Sequence, residues 1–184
     1  ADDVRDQHGD WQAGDVIAIP ANAWHKHYNA SPDEPALQLA FKNTRFLRKI
    51  FHSREFVYQN EFRFFDRYAD EPDYWTRREP GNYGRIRVNA IPRFADEDVE
   101  PDPAAGAGVG FRRFSMGGHR TLDLALVEIG VGGRVRDHRP LAEEALLVLH
   151  GSGKQAVELQ VHLLAREIVG VELDLFGADH VRVD

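Results

Sequence analysis

Residues 122–144 have the sequence LDLALVEIGVGGRVRDHRPLAEE, in which an alternating segment leads into a glycine pair and a histidine-containing turn. Apolar Leu122, Leu124 and Leu126 alternate with smaller or polar neighbours. A period of two is typical of a strand with one buried and one exposed face. Several such strands separated by turns predict an all-β sandwich or barrel. The same alternation returns over residues 157–163 and 171–175.

The N-terminal part also favours short β-strands. The β-branched run from Val16 to Ile19 stops at Pro20, as a strand would. Asn22 follows in a predicted turn, because asparagine tolerates the left-handed backbone conformation. Two more strands are predicted at 24–28 and 36–41. Thr44 is predicted to cap a short helix over 45–51.

Composition limits the kinds of partner that the chain can have. The 184 residues suggest one domain or two small ones, and the formal net charge of −7 leaves no basic footprint for nucleic acid. No apolar stretch is long enough to span a bilayer, so we expect no membrane partner. Cysteine is absent, which excludes disulfides and thiolate sites and agrees with a cytoplasmic location.

Two segments admit more than one interpretation. Residues 52–82 are rich in aromatic and arginine side chains. They predict either a platform that stacks a ligand or a linker whose rings pack against a neighbouring sheet. Residues 95–110 contain an acidic run, two prolines and a series of small residues. That composition predicts a linker or a long surface loop.

The turn after the 122–135 segment carries the residues best suited to chemistry. His138 and Glu144 lie a few residues apart beside a predicted strand, so their side chains can face one cavity. Neutral imidazole and carboxylate together suit Fe(II), Mn(II), Ni(II) or Zn(II). Spacing alone favours a surface histidine beside two solvated glutamates over a metal site.

Two sets of residues in this chain resemble the two halves of the cupin signature. Gly132, His138, Glu144 and Gly151 match the first cupin motif, with Pro140 in place of its second histidine. A second set matches the second cupin motif, with Asn22 where glycine is usual. Its members are Gly14, Pro20, His25 and Asn29.

The two motifs occur in reverse order, which resembles a two-cupin chain without its N-terminal part. That resemblance implies the end of a first cupin over 1–60, a linker over 61–104 and a second, incomplete cupin over 105–184. Within the last range, Gly177 and His180 weakly match another second motif. The implied architecture is all-β, a jelly-roll sandwich or barrel with short helical linker segments. The short segments at 73–75 and 89–92 also resemble the linking segments of bicupins.

The resemblance implies a metal site. His138 and Glu144 match metal ligands, His180 is a candidate third ligand, and His25 matches a ligand of the first cupin. Because proline cannot bind metal, Pro140 reduces the usual set of three histidines and one glutamate to two histidines and one carboxylate. Such a set suits non-haem Fe(II), and another divalent metal would also fit it. The same change equally fits a decayed site.

Among cupins, the chain most resembles bicupins of the gentisate dioxygenase-like group. These are Fe(II)-dependent enzymes that cleave the ring of hydroxylated aromatic acids. This implies an oxidoreductase with a small aromatic acid substrate, with the catalytic residues themselves unassigned. Arg136 is a candidate for binding the substrate carboxylate, although an arginine in a solvated turn would look the same. Trp24 is a candidate for stacking on the substrate ring, although its side chain could simply fill the end of the barrel. The alternative function is a non-catalytic ligand-binding or degenerate cupin. The resemblance also implies a homo-oligomer, and we expect a dimer.

Overall fold

The computed structural model describes residues 9–117 and 122–156. The chain divides into two compact units, Ala1–Glu144 and Ala145–Asp184. The strands, helices and core given below all belong to the first unit. In the second unit the described residues, 145–156, contain neither a helix nor a strand.

Sheet outweighs helix in the described part of the chain, as the sequence predicts. The strands are β1 (Val16–Ile17), β2 (Arg78–Pro80), β3 (Ile86–Val88), β4 (Ala90–Ile91), β5 (Glu100–Pro101), β6 (Gly106–Met116) and β7 (Leu124–Val135). The helices are α1 (Thr44–Phe51) and α2 (Arg54–Tyr58), with 3₁₀ turns at Asn82–Gly84 and Phe94–Asp96.

Strand β6 organises the larger sheet. It pairs with β7 in antiparallel fashion along most of its length, with β5 antiparallel and with β3 parallel. Strand β2 extends this sheet beyond β3. A separate two-stranded sheet joins β1 to β4, so that Val16 pairs with Ile91. This pairing connects the predicted first cupin to the predicted linker.

Part of the run of small residues that was predicted to form a loop is instead the start of strand β6. Residues 100–101 and 106–110 are in strands, so the loop prediction over 95–110 is wrong for these positions. The register of β6 against β7 shifts between Ala107 and Val109. A Cβ on Gly106 would lie 2.0 Å from the carbonyl oxygen of Arg134. Glycine is therefore needed for the close approach of two backbones at a bulge, rather than for a flexible loop.

The core is small and includes residues from both sheets. Phe114 is completely buried and its ring lies 5.6 Å from that of Phe94. The buried apolar cluster consists of Ala18, Val88, Ile91, Phe94, Phe114 and Met116. Leu124 and Leu126 pack against it while Ala125 is exposed, which confirms the predicted alternation at these positions. Leu122 precedes β7 and is exposed, so the prediction fails there.

The segments at 73–75 and 89–92 meet at the edge of this core. The Tyr74 hydroxyl donates a hydrogen bond to the Ala18 carbonyl, and the Asn89 side chain donates one to the Tyr74 carbonyl. Burial raises the pKa of the Tyr74 phenol, so the hydroxyl keeps its proton and remains a donor. These two hydrogen bonds therefore hold the end of β1 against the segment before β2.

Local predictions for residues 16–51 succeed in part. Strand β1 covers only the first half of the predicted Val16–Ile19 strand. The predicted helix forms, but it starts at Thr44 and its N-cap position is Asn43. The strands predicted at 24–28 and 36–41 are wrong, because no strand forms there. Trp24 and Leu37 are 100% and 99% exposed, so neither segment has a sheet to pack against.

At Tyr74 the aromatic segment at 52–82 packs as the linker interpretation predicts, whereas the ligand platform stays a prediction. Tyr74 packs into the sheet-side core, whereas Phe62 and Phe65 remain exposed. Several rings contact arginine instead, with the guanidinium carbon of Arg67 at 4.8 Å from the centre of the Phe64 ring and that of Arg63 at 5.0 Å from Phe65. Among the described residues, no helix is both long enough and apolar enough to cross a membrane.

A pH-dependent ion pair connects β2 to the turn before β5. Arg78 binds the largely buried Glu97 carboxylate with two hydrogen bonds of 2.7 and 2.5 Å. The hydrogen bonds from Arg78 lower the pKa of Glu97. A lowered pKa stabilises the fold above the pKa of the unfolded chain, and this stabilisation is lost as pH falls through the folded value.

We therefore predict that the wild type loses about 1 kcal/mol of its free energy of unfolding from this pair between neutral and acidic pH. Urea unfolding of the wild type and of Glu97→Gln at pH 7 and pH 3 measures the difference. The variant should be the less stable protein at pH 7 and should approach the wild type at pH 3. A constant difference between the two proteins across this range would refute the linkage.

Candidate metal centre

His138 lies in the turn that follows β7 and is oriented by the backbone. Its Nδ1 lies 3.1 Å from the carbonyl oxygen of Arg136, and because a carbonyl only accepts, Nδ1 carries the proton. The Arg136 backbone amide in turn donates a 2.6 Å hydrogen bond to the Ala105 carbonyl. The start of β6 thus supports the turn, and Nε2 is left as the free nitrogen of His138.

The free nitrogen faces a carboxylate. The His138 Nε2 lies 3.6 Å from Glu144 Oε2, and both side chains are about half exposed. The hydrogen bond to the Arg136 carbonyl and the interaction with Glu144 raise the pKa of His138. The two candidate ligands therefore come together, and their facing nitrogen and oxygen are of the donor types that divalent transition metals bind.

His25 repeats the orientation of His138. Its Nδ1 lies 2.9 Å from the carbonyl oxygen of Ala23, which again leaves Nε2 free. The His27 ring packs edge to face against the His25 ring, with 5.4 Å between their centres. Both matched histidines are thus fixed by the carbonyl two residues before them, an arrangement common in metal-binding histidines.

The described residues hold part of a ligand set. Within 9–117 and 122–156, no three His, Asp or Glu side chains come together at a metal-binding distance. His25 therefore does not join His138 and Glu144. Pro140 supplies no donor, and His180 lies outside the described residues. His138 and Glu144 fit a metal as two donors that leave its other positions to further ligands or water.

The two predicted substrate-binding residues have different surroundings. Arg136 is exposed, and its backbone rather than its guanidinium orients His138. Trp24 lines an open depression with Arg54 and Tyr58. Sequence analysis missed Arg54, although the abundance of arginine among the aromatic residues of 52–82 was the available signal.

Asn22 has a second role besides its predicted turn. Its φ of 58° confirms the predicted left-handed conformation. In addition, its side-chain amide donates hydrogen bonds of 2.6 and 2.8 Å to the carbonyls of Asn60 and Phe62. Glycine would reproduce the backbone conformation here but not these two bonds. Asn22 therefore connects the turn before Trp24 and His25 to the aromatic segment.

We predict a graded effect of substitutions at Asn22. Asn22→Gly should lower the free energy of unfolding by about 1 kcal/mol, through loss of the two exposed hydrogen bonds. Asn22→Ala should cost about 2 kcal/mol, because alanine also strains the left-handed backbone. Urea unfolding measures both variants. Equal destabilisation by the two substitutions would contradict the contribution of the backbone.

Comparison with known proteins adds no relative: no family model matches the chain, and no curated protein or solved structure does.

Proposed function

We propose that the chain is a metal-dependent protein of the cupin jelly-roll type. His138 and Glu144 would bind its divalent metal, for which Fe(II) is the first candidate. One observation carries this proposal: His138 Nε2 and Glu144 Oε2 face each other at 3.6 Å. The sequence resemblance selected the same two residues independently of their geometry. A metal that replaces the proton between them would bind both atoms.

The tautomer of His138 supports this proposal. Because Nδ1 donates to the Arg136 carbonyl, Nε2 is the nitrogen whose lone pair the neutral imidazole would offer to a metal. Imidazole and carboxylate donors suit non-haem iron, and two protein donors leave positions open for oxygen and substrate. The half-exposed pair is accessible to both.

We further propose a dioxygenase activity on a hydroxylated aromatic acid. When bound, Fe(II) would orient substrate and oxygen and would mediate electron transfer from the aromatic ring, which is oxidised, to oxygen, both atoms of which would enter the cleaved product. Within the chain, Arg136 would bind the substrate carboxylate through its exposed guanidinium. Trp24 offers an exposed indole face for the ring.

Pro140 favours a second candidate function. With proline in place of a histidine ligand, the protein would be a ligand-binding or degenerate cupin without catalysis. Such a protein would keep its affinity for an aromatic acid after the metal is removed. A working dioxygenase would lose turnover on the same treatment.

Self-association is part of the proposal. In the described part of the chain, β7 pairs only with β6, and Val127, Ile129 and Val131 are exposed on it. An unpaired strand edge with apolar side chains invites pairing with another chain. We propose a homo-oligomer, a dimer at the least, and light scattering at several concentrations would give its mass.

Oxygen consumption tests the catalytic proposal. The chain is loaded with Fe(II) without air, desalted and mixed with a panel of hydroxybenzoates and dihydroxybenzoates. The wild type should consume oxygen with at least one of them. Glu144→Gln should abolish this consumption, whereas the matched control Glu143→Gln should retain it. Metal-independent binding of the acids without oxygen consumption would favour the non-catalytic candidate.

A further inference from the structure

Helix α1 has two chemically different sides. The apolar side of α1 is formed by Phe46, Leu47, Ile50 and Phe51. Arg48 and Lys49 lie at the two margins of this side, and Arg45 lies opposite it. Phe46, Ile50 and Phe51 are each about half exposed, at 58%, 51% and 49%. The helix has no buried residue. Leu47 is partly buried, so the helix leaves much of its apolar side, though not all of it, exposed to bind another body.

The charge around α1 has a single sign. No acidic residue occurs between Glu34 and Glu55, although the whole chain carries a net charge of −7. The basic residues of this interval are Lys42, Arg45, Arg48, Lys49 and Arg54. Those of α1 form no ion pair with any residue that the structure describes. This short interval is thus a basic island in an acidic protein.

Aromatic side chains suited to an interface lie next to this island. The Phe51 ring contacts the Phe56 ring of α2, with 4.8 Å between their centres. Tyr58 of α2, the adjoining Arg54 and the fully exposed Trp24 line one open depression. Tryptophan and tyrosine are enriched where an apolar phase meets water, because each combines an apolar ring with a polar group.

We infer that α1 binds to a membrane surface rich in anionic lipid headgroups, lying flat in the interface. The apolar side would enter the boundary between headgroups and acyl chains, and the basic side chains at its margins would attract the lipid phosphates. This inference goes beyond the proposed function and does not rest on it. The sequence argued against a membrane partner from the lack of a spanning stretch, and that argument does not apply to a helix lying on a surface.

The membrane fits the observations better than an acidic polypeptide does. A polyanion would need only the charges, whereas α1 also exposes Phe46, Ile50 and Phe51. The apolar and basic side chains share one short element, as in interfacial helices. Loss of binding on removal of either group of side chains therefore distinguishes a lipid surface from a simple polyanion.

Co-sedimentation with vesicles tests the inference. The whole chain should sediment with vesicles of phosphatidylglycerol and phosphatidylcholine and not with phosphatidylcholine alone. Arg48→Gln/Lys49→Gln should weaken the partition about 30-fold. The control Arg87→Gln/Arg93→Gln removes the same charge from other exposed sites and should change it less than about threefold.

A third variant separates apolar burial from charge. Phe46→Ser/Ile50→Ser keeps every charge and replaces only exposed side chains, so its thermal unfolding should resemble that of the wild type. It should lose binding to the anionic vesicles. Three results would each overturn the inference. The serine variant could retain binding, the two variants that remove charge could lose binding equally, or the wild type could bind polyglutamate as well as it binds the vesicles.

Discussion

Replacing His138 by alanine should weaken the binding of Fe(II) by about 100-fold or more. Alteration of residues that only orient a metal ligand already costs 10–100-fold in affinity, and His138 is proposed to bind the metal directly. Glu144→Ala should have a comparable effect, because its Oε2 faces the same position at 3.6 Å from the His138 Nε2. Anaerobic competition with a chromophoric chelator measures the affinities.

A second exposed histidine provides the control for this prediction. His150 lies outside the cupin-like pattern, and His150→Ala should leave the affinity within about threefold of the wild type. The double variant His138→Ala/Glu144→Ala should lose little more than either single variant, since both side chains serve one site. Additive losses would mean that the two residues act at separate places.

Replacing Phe114 by alanine should lower the free energy of unfolding by about 3–5 kcal/mol. The side chain is 0% exposed and packs against Phe94 in the core, which includes residues from both sheets. Because this core has few members, neighbouring side chains have little capacity to fill the cavity. Urea unfolding followed by tryptophan fluorescence measures the loss.

Phe46→Ala is the matched control for Phe114→Ala. It removes the same atoms from a side chain that is 58% exposed on α1. Since alanine also favours the helical conformation, the cost should be below about 1 kcal/mol. A loss for Phe46→Ala as large as that for Phe114→Ala would show that the core does not lie where the fold has it.

Elements determined by local pattern could be predicted from the sequence. The alternation at Leu124 and Leu126 predicts the two-sided strand β7, and its inner side packs on the core. Helix α1 forms where it is predicted, and Asn22 adopts the left-handed conformation that its turn position implies. In each case the preference of a few neighbouring residues is sufficient to determine the structure.

Elements determined by distant partners could not. The segments at 24–28 and 36–41 have the composition of strands, yet a strand forms only when another strand pairs with it. Conversely, the small residues before Val109 resemble a loop, but the close approach of Arg134 in β7 requires glycine at Gly106. The pairing of Val16 with Ile91 has no local signal at all.

The candidate site shows the same division. Motif spacing selected His138 and Glu144, and the turn after β7 places the two side chains together. The spacing could not indicate that the Arg136 carbonyl fixes the imidazole, because backbone orientation is not encoded by residue type. Arg54 also escaped the sequence analysis, since its place beside Trp24 depends on how the helices lie.

The metal content of the purified chain tests the central claim most directly. The wild type and His138→Ala are loaded with Fe(II) without air, desalted and analysed by mass spectrometry for iron per chain. The account predicts close to one iron per wild-type chain and almost none in the variant. Wild-type protein that retains no iron, or a variant that retains as much as the wild type, would contradict the assignment of His138 and Glu144 as metal ligands.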